Sequence, residues 1–297
     1  MDVNATNLST LNTAVNTAFN NAFAGAESQY QRVATVVPSS TAANEYDWLG
    51  NSSQMREWLG PRVINRLKSH QFTIKNRKFE KTEAIPRDKI EDDQYGVYMP
   101  LFQQMGNDAK EFPDLLTFPL LNEGFSTLCY DGQPFFDEDH PVGNDGGEAS
   151  VANMHAGSGD PWFLLCTKRP LKPLIWQTRK PFNLVMKNNA QNSDHVFMTD
   201  EFVWGTDGRC NAGFGLWQLA FGSKADLTAD YFNDAYTRMT KFKNDAGSPL
   251  GVVPDLLVVG PDNRVKAEKL LFAMNKAGGE SNTDYKKVEL LVCPWLA

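Results

Sequence analysis

Between Phe72 and Pro86 apolar and polar residues alternate. Phe72 and Ile74 fall on one side, Thr73 and Lys75 on the other, and Phe79 and Ile85 resume the pattern after Asn76-Arg77. A period of two marks a strand, and a polar step between two such runs predicts a turn, so residues 62–94 read as a long β-hairpin. Eight bases (Arg66, Lys68, Lys75, Arg77, Lys78, Lys81, Arg87, Lys89) stand among three acids (Glu80, Glu83, Asp88) between residues 65 and 89. A two-stranded ribbon is marginal alone in water, so its apolar side needs a covering surface. Two readings stay open: an arm laid on another molecule, or a solvated hairpin whose lysines guard its edge.

Upstream the spacing turns helical. Leu8, Leu11, Val15, Phe19 and Ala22 recur behind the potential caps Asn7 and Ser9, which predicts a short amphipathic helix on an N-terminal arm. Its polar side is amide and hydroxyl, suited to a neighbouring subunit; docking on its own domain is the alternative. Trp48, Leu49, Met55, Trp58 and Leu59 form an apolar knot, with Ser52 or Ser53 as N-cap candidates for a brief helix. After the hairpin, Asp88, Glu91, Asp92 and Asp93 predict a helix N-terminus. That helix is expected from about residue 90 to Phe112, with Tyr95, Met99, Phe102 and Met105 on one face and Pro100 as a kink. A second is expected to start near Pro113 and carry Leu115, Leu116, Leu120, Leu121 and Phe125.

The segments WFLLC, PLIWQ, HVFMTDEFVWG and FGLWQLAFG make residues 161–222 the most strand-rich region. Beyond it helix and strand alternate. Thr228 caps a helix through Tyr231, Phe232, Tyr236 and Met239; DLLVVG is a buried strand; Pro261 opens a helix through Val265, Lys269, Leu270 and Met274; VELLVCP closes the chain. This predicts a small separate α/β lobe.

Composition narrows the picture. The 297 residues are 41% hydrophobic and 22% charged, as in a soluble globular protein. A net charge of -7 and a pI near 5.2 argue against a dedicated nucleic-acid binder. Residues 1–31 hold no Lys or Arg and no compact apolar run, and no stretch approaches membrane-spanning length, so a cytoplasmic protein is expected. Charge is segregated locally: seven acids and no base between 131 and 160, then six bases and no acid between 161 and 193, which invites complementary contact within the chain or between copies.

Candidate chemistry is thin. CYDGQPFFDEDHP places Cys129, Asp131, Asp137, Asp139 and His140 close together, but in a Gly/Pro loop with no evident partner to orient a nucleophile or complete a metal site. A surface or structural turn is the plainer reading. His70 and His195 are assigned to strands and His155 to a flexible loop. Cys129, Cys166, Cys210 and Cys293 lack a C-x-x-C pair and read as buried thiols. Gly213 and Gly215 match only fragments of a phosphate loop and read as a bulge or close backbone approach. Trp162, Trp176 and Phe182 could line a single-strand stacking groove, but lie in apolar runs that favour core packing. A Cys/His enzyme and a nucleic-acid-binding module are the rival functional classes.

Several segments, in order and nearly full length, resemble the major head proteins of Mu-like phages and prophages. They are SQYQRVATVVPSST with WLG, EWLGPR, FTIKNRKFE, IPRDKIEDDQYGVY, CYDGQPFFDEDHPV, FLLCTKRPLKPLIWQ, DHVFMTDEFVWGTDGRCNAGFGLWQLAFGS, PDLLVVGPDNRVKAEKLL and VELLVCPWL. The resemblance implies an α+β chain with the tailed-phage/herpesvirus major capsid fold: N-terminal arm, extended β-hairpin loop, peripheral domain with a long spine helix, and axial domain. Mapped here, the arm is 1–47, an anchor segment 48–61, the extended loop 62–89, the spine helix and its successor 90–130, an acidic Gly-rich region 131–160, the peripheral sheet 161–224 and the axial lobe 225–297. The axial-type lobe ends the chain, whereas in better-known members peripheral strands follow it.

The implied function is a structural, non-enzymatic subunit that self-assembles into hexamers and pentamers of an icosahedral head around double-stranded DNA. The implied partners are further copies, scaffold, portal and possibly decoration proteins, and DNA by weak contact. No cofactor or metal is implied, and the implied location is the virion, after assembly in a host bacterial cytoplasm. Candidate inter-subunit contacts are Phe72, Ile74, Lys75, Arg77, Lys78, Phe79 and Lys81 on the hairpin and Leu11, Val15 and Phe19 on the arm.

Overall fold

A computed structural model describes residues 3–47, 49, 72–92, 94–143, 149–187, 193–276 and 278–297. The chain begins with α1 (Ala5–Gly25), α2 (Tyr30–Val33), β1 (Ala34–Pro38), β2 (Ala43–Glu45), β3 (Thr73–Lys75) and β4 (Arg77–Pro86). It continues through α3 (Arg87–Glu91), a 3-10 turn at Gln94–Tyr98, α4 (Met99–Thr117) and α5 (Pro119–Glu123). Next come β5 (His140–Val142), β6 (Ala149–Val151), β7 (Met154–His155), β8 (Trp162–Leu165), β9 (Leu174–Met186), α6 (Asp194–Thr199), β10 (Glu201–Phe214) and β11 (Ala220–Ser223). The last elements are α7 (Ala229–Thr240), β12 (Leu256–Val259), α8 (Arg264–Phe272) and β13 (Glu289–Val292). Among the described residues no helix is long and apolar enough to cross a membrane.

Two sheets organise the molecule. The first runs β1-β9-β10-β4, with β1 parallel to β9 and the other pairs antiparallel. The second runs β13-β12-β8-β11-β7. In β10 alternate residues are buried, so Phe202, Trp204 and Cys210 face inward while Val203, Asp207 and Arg209 face out. The inner side is covered by α4. Phe102 meets Trp204 edge-on at 5.3 Å, and Phe112 sits between Phe79 (4.6 Å) and Phe182 (5.2 Å). Removing these rings from water supplies much of the local stability, at roughly 25 cal/mol per Å² of apolar surface.

The expected hairpin turn at Asn76-Arg77 is corrected. β3 pairs with β2, whereas β4 pairs along its whole length with β10, so the runs either side of Asn76 belong to different sheets. The physical reason is that Phe79 and Ile85 find apolar partners on α4 and β10 of the same chain. Residues 62–71, and the knot proposed around Trp48, Met55 and Trp58, lie outside the described residues; Leu49 is buried.

The helix boundaries shift too. α4 starts at Met99, with Pro100 in its first turn where no amide is needed, and runs through Pro113 to Thr117. The helix therefore does not break at Pro113; the 3-10 turn Gln94–Tyr98 precedes it instead. α1 begins earlier than expected, capped by Asn4 Oδ1 accepting from the Asn7 amide at 2.9 Å. HVFMT forms α6 rather than strand, because Ser193 caps it and Asp200 ends it in the left-handed region at φ 56°.

The stretch 161–222 is shared between the sheets. β9 and β10 lie in the first, while β8 and β11 pair with each other and, through β8, with β12. The border expected near 224 thus cuts across one sheet, because the apolar strands WFLL and LLVV pair side by side and every residue of both is buried. Within this stretch the chain crosses between the sheets at two places, side by side: the Gly215 amide donates to Pro173 O at 2.8 Å, where a side chain would strike that carbonyl and Lys172 O. Thr228 caps α7 as expected, α8 follows Pro261, and β13 closes the chain parallel to β12.

α1 lies against α4. The crossing is close because Gly106 has no side chain; an added Cβ would overlap Phe19 O and approach Phe23 N to 3.1 Å. At the root of α1, buried Asp114 of α4 accepts from Ser28 Oγ (2.8 Å) and from the amides of Gln29 (2.9 Å) and Tyr30 (2.6 Å). Gly106→Ala is expected to lift α1 from α4 and cost about 1–3 kcal/mol. Thermal unfolding, with proteolysis near residue 25 as a local readout, checks this; an unchanged transition and digestion pattern refutes the tight crossing.

Candidate functional site

The structure distributes the ten candidate contacts between the core and the surface. Leu11, Val15 and Phe19 are buried in the chain's own body, Leu11 and Val15 with Phe102 and Trp204, and Phe19 with Met105 and Ala109. Ile74 is buried over Gly213, where an added Cβ would lie 2.5 Å from its Cδ1. Phe72 and Phe79 pack against the main core, and Lys81 bonds Asp108 of α4 at 2.6 Å. These seven use their surface within the chain. Lys75, Arg77 and Lys78 are exposed, with Arg77 lying 5.1 Å above the Phe79 ring.

Strand register gives the exposed bases company that spacing along the chain conceals. Lys78 on β4 and Lys180 on β9 both stand opposite Arg209 on β10, so three bases line one row of the sheet's outer face. Asn211 Nδ2 donates to the backbone carbonyl of Lys75 at 2.8 Å, which ties β3 to this sheet, and Arg179 sits in the neighbouring bulge. The base of the predicted loop is seated on this sheet by Gln177, which receives a hydrogen bond from the Tyr46 hydroxyl (2.8 Å) and donates to Ile74 O (3.2 Å).

The Cys129–Asp131–His140 cluster is internal. His140 is buried, stacked on Trp217 with ring centroids 4.0 Å apart and planes 9° from parallel. Its Nδ1 faces Asp131 Oδ2 at 2.8 Å and its Nε2 faces Asn153 Oδ1 at 3.2 Å. Cys129 Sγ donates to Asp131 Oδ1 at 3.0 Å. Burial, with the Asp131 charge second, pushes the thiol far above its ordinary range, the opposite of what a nucleophile needs. Burial works to raise the Asp131 carboxyl, but the bonds from His140 and Cys129 bring it below its usual range. The three donor atoms lie within 4.8 Å of one another yet are engaged with each other, and no fourth ligand joins them among the described residues. The arrangement pins a loop.

His155 is also in the core, on β7, correcting the expectation of a flexible loop; His195 lies on α6, and His70 falls outside the described residues. His155 bonds Asp234 at 2.7 Å and approaches Ser223 Oγ at 3.3 Å, a Ser-His-Asp sequence of contacts that spacing did not reveal. Ser223 is fully buried and its Oγ accepts from the Ala225 amide, so although Asp234 is half-exposed the hydroxyl itself is closed to a substrate. Trp162 and Trp176 are buried, as expected of core strands, and the four cysteines are buried free thiols.

Among the described residues these clusters form no open catalytic constellation, and similarity decides the class. The model of the family "Mu-like prophage major head subunit gpT" matches residues 8–296. The chain belongs to that family. It is similar to the major capsid protein of Escherichia phage Mu, 39% identical over 100% of both chains. It is also similar to the Mu-like prophage FluMu major head subunit of Haemophilus influenzae, 41% identical over 90% of each. Among solved structures it matches a subunit from the procapsid of bacteriophage JBD30 with TM-score 0.89 and 42% identity, over 99% of this chain and 100% of that one. The chain is thus a major capsid protein with the tailed-phage capsid fold, a structural component of a virion.

For this head protein the buried networks predict sensitivity to acid. Burial lowers the proton affinity of His155 against the pull of Asp234, so the unfolded chain takes up the proton first. The resulting stability is complete above the ordinary imidazole value of 6.5 and is lost as pH falls below it. Burial works to raise the Asp234 carboxyl, but His155 and Arg238 hold it below its usual range, which extends the loss to lower pH. The melting temperature is expected to fall between about pH 7 and pH 5.5, and His155→Gln to flatten that interval. Parallel pH profiles for the two proteins would contradict the assignment.

Proposed function

We propose that copies of this chain assemble into hexamers and pentamers of an icosahedral head that encloses double-stranded DNA, and that the chain acts by contact geometry without transforming a substrate. The observation that carries this reading is the correspondence with a subunit of a phage procapsid over 99% of this chain and 100% of that one, at 42% identity. In this reading the first sheet with α4 is the peripheral domain and its spine, the second sheet with α7 and α8 is the axial domain, and of the extended loop expected over 62–89 the described base at β3 lies over Gly213.

Single contacts need not be strong. A patch of millimolar strength is worth about 4 kcal/mol, and a subunit held at several such patches is held firmly while misplaced copies still exchange. A net charge of -7 suits a wall that does not grip DNA along its length. Scaffold, portal and decoration proteins complete the partner set, and assembly takes place in the cytoplasm of a host bacterium.

Electron microscopy and sedimentation of the purified full chain, alone and with a head scaffold, are expected to reveal rings or closed shells. Cys129→Ser, provided it folds, is expected to leave particle yield unchanged. A chain that stays monomeric at all concentrations in both settings overturns the proposal.

A further inference from the structure

The first sheet is electrically two-ended. At one end, where β4 passes into α3 and α6 leads into β10, six carboxylates (Asp88, Glu91, Asp92, Asp194, Asp200, Glu201) stand against three bases, Arg87, Lys89 and Lys187. Two of the three are already paired: Arg87 with Glu91 at 2.9 Å and Asp200 at 4.0 Å, Lys89 with Asp88 at 3.7 Å. At the other end the outer face carries Lys78, Lys180 and Arg209, with Arg179 exposed in the adjoining bulge and Lys75 exposed on neighbouring β3, against Glu80 and Asp207, of which Asp207 pairs with Lys180. From Lys78 to Pro86 an extended strand covers roughly 25–30 Å. That exceeds the screening length of about 8 Å at physiological salt, so the two ends do not neutralise each other within one chain.

The acidic end also carries an apolar tip. Phe197 is 88% exposed and Met198 77% exposed on α6, and Val97 is 77% exposed in the adjoining 3-10 turn. The elements bearing them are packed together through Val196, Ile90, Tyr95 and Tyr98.

We propose that this acidic, apolar-tipped end docks head-to-tail on the basic outer face of a second copy of the chain. Two acidic ends brought together would repel, as would two basic faces, so the contact is heterologous, and a heterologous contact whose rotation closes builds a ring. Phe197 and Met198 pack against the aliphatic stems of the neighbour's lysines and arginines while the carboxylate rim meets their charged heads. The inference rests on the capsid reading and adds to it which two surfaces meet.

The test is charge reversal with rescue. Asp92→Lys with Asp194→Lys, and separately Lys78→Glu with Arg179→Glu, are each expected to lower particle yield by about tenfold or more while leaving the melting transition in place. All four changes together are expected to recover most of the yield. If a reversed protein loses its melting transition, Phe197→Ser supplies the same test from the apolar tip. Wild-type yield from either reversed pair or from Phe197→Ser, or no recovery in the fourfold variant, overturns the docking while leaving the capsid reading intact. A wild-type chain that never assembles overturns both.

Discussion

Everything in the first half of the molecule depends on α4 lying flat across the inner face of the four-stranded sheet. That contact consumes the apolar side of β4 through Phe79 and Ile85, fixes β10 through Trp204, and offers on its other flank the small surface at Gly106 that lets α1 approach. Asp114 then ties the root of α1 to the same helix through three donors. A buried carboxylate is tolerable only when its oxygens are satisfied, and here the satisfying groups are the otherwise orphaned amides at the start of α2. The helix thus sets the positions of the arm, the edge strand and the base of the loop together.

The second sheet is independent in its pairing but not in its placement. Two side-by-side crossings near Pro173 and Gly215 join it to the first, and Asp255 braces the same region by accepting from Thr167 N and Oγ1 at 2.5 and 2.7 Å. Polar groups that look reactive in isolation are used in the same bracing manner. The His140 network holds a loop with internal hydrogen bonds to Asp131 and Asn153, and the His155 network ties β7 to α7 through Asp234, which stands half-exposed at the surface beside Arg238. For a protein whose task is to hold its shape in a shell, polar groups committed to internal bonds are worth more as positioning devices than as reagents.

Some of this was legible along the chain. The alternation in β10, the cap at Thr228, the buried run LLVV and the close approaches at Gly213 and Gly215 are local signals, and each appears where its spacing predicted. Residues 77–86 misled for a physical reason: a basic alternating strand has the same appearance whether it protrudes or pairs, and only β10 and α4, more than a hundred and about thirty residues away respectively, decide which. HVFMT misled because its apolar pair at 197 and 198 points outward, away from the core that periodicity is used to find.

The sequence by itself determined the class of molecule, through a succession of segments that match one capsid family from end to end, and it determined most helices and strands, because capping and periodicity act within a few residues. Tertiary structure alone decided which apolar faces are consumed internally, since Leu11, Val15, Phe19, Ile74 and Phe79 are buried by partners distant in the chain. It also decided the location of charge. Lys78, Lys180 and Arg209 become one patch only when three strands align, because register, unlike composition, is set by the packing of the whole sheet.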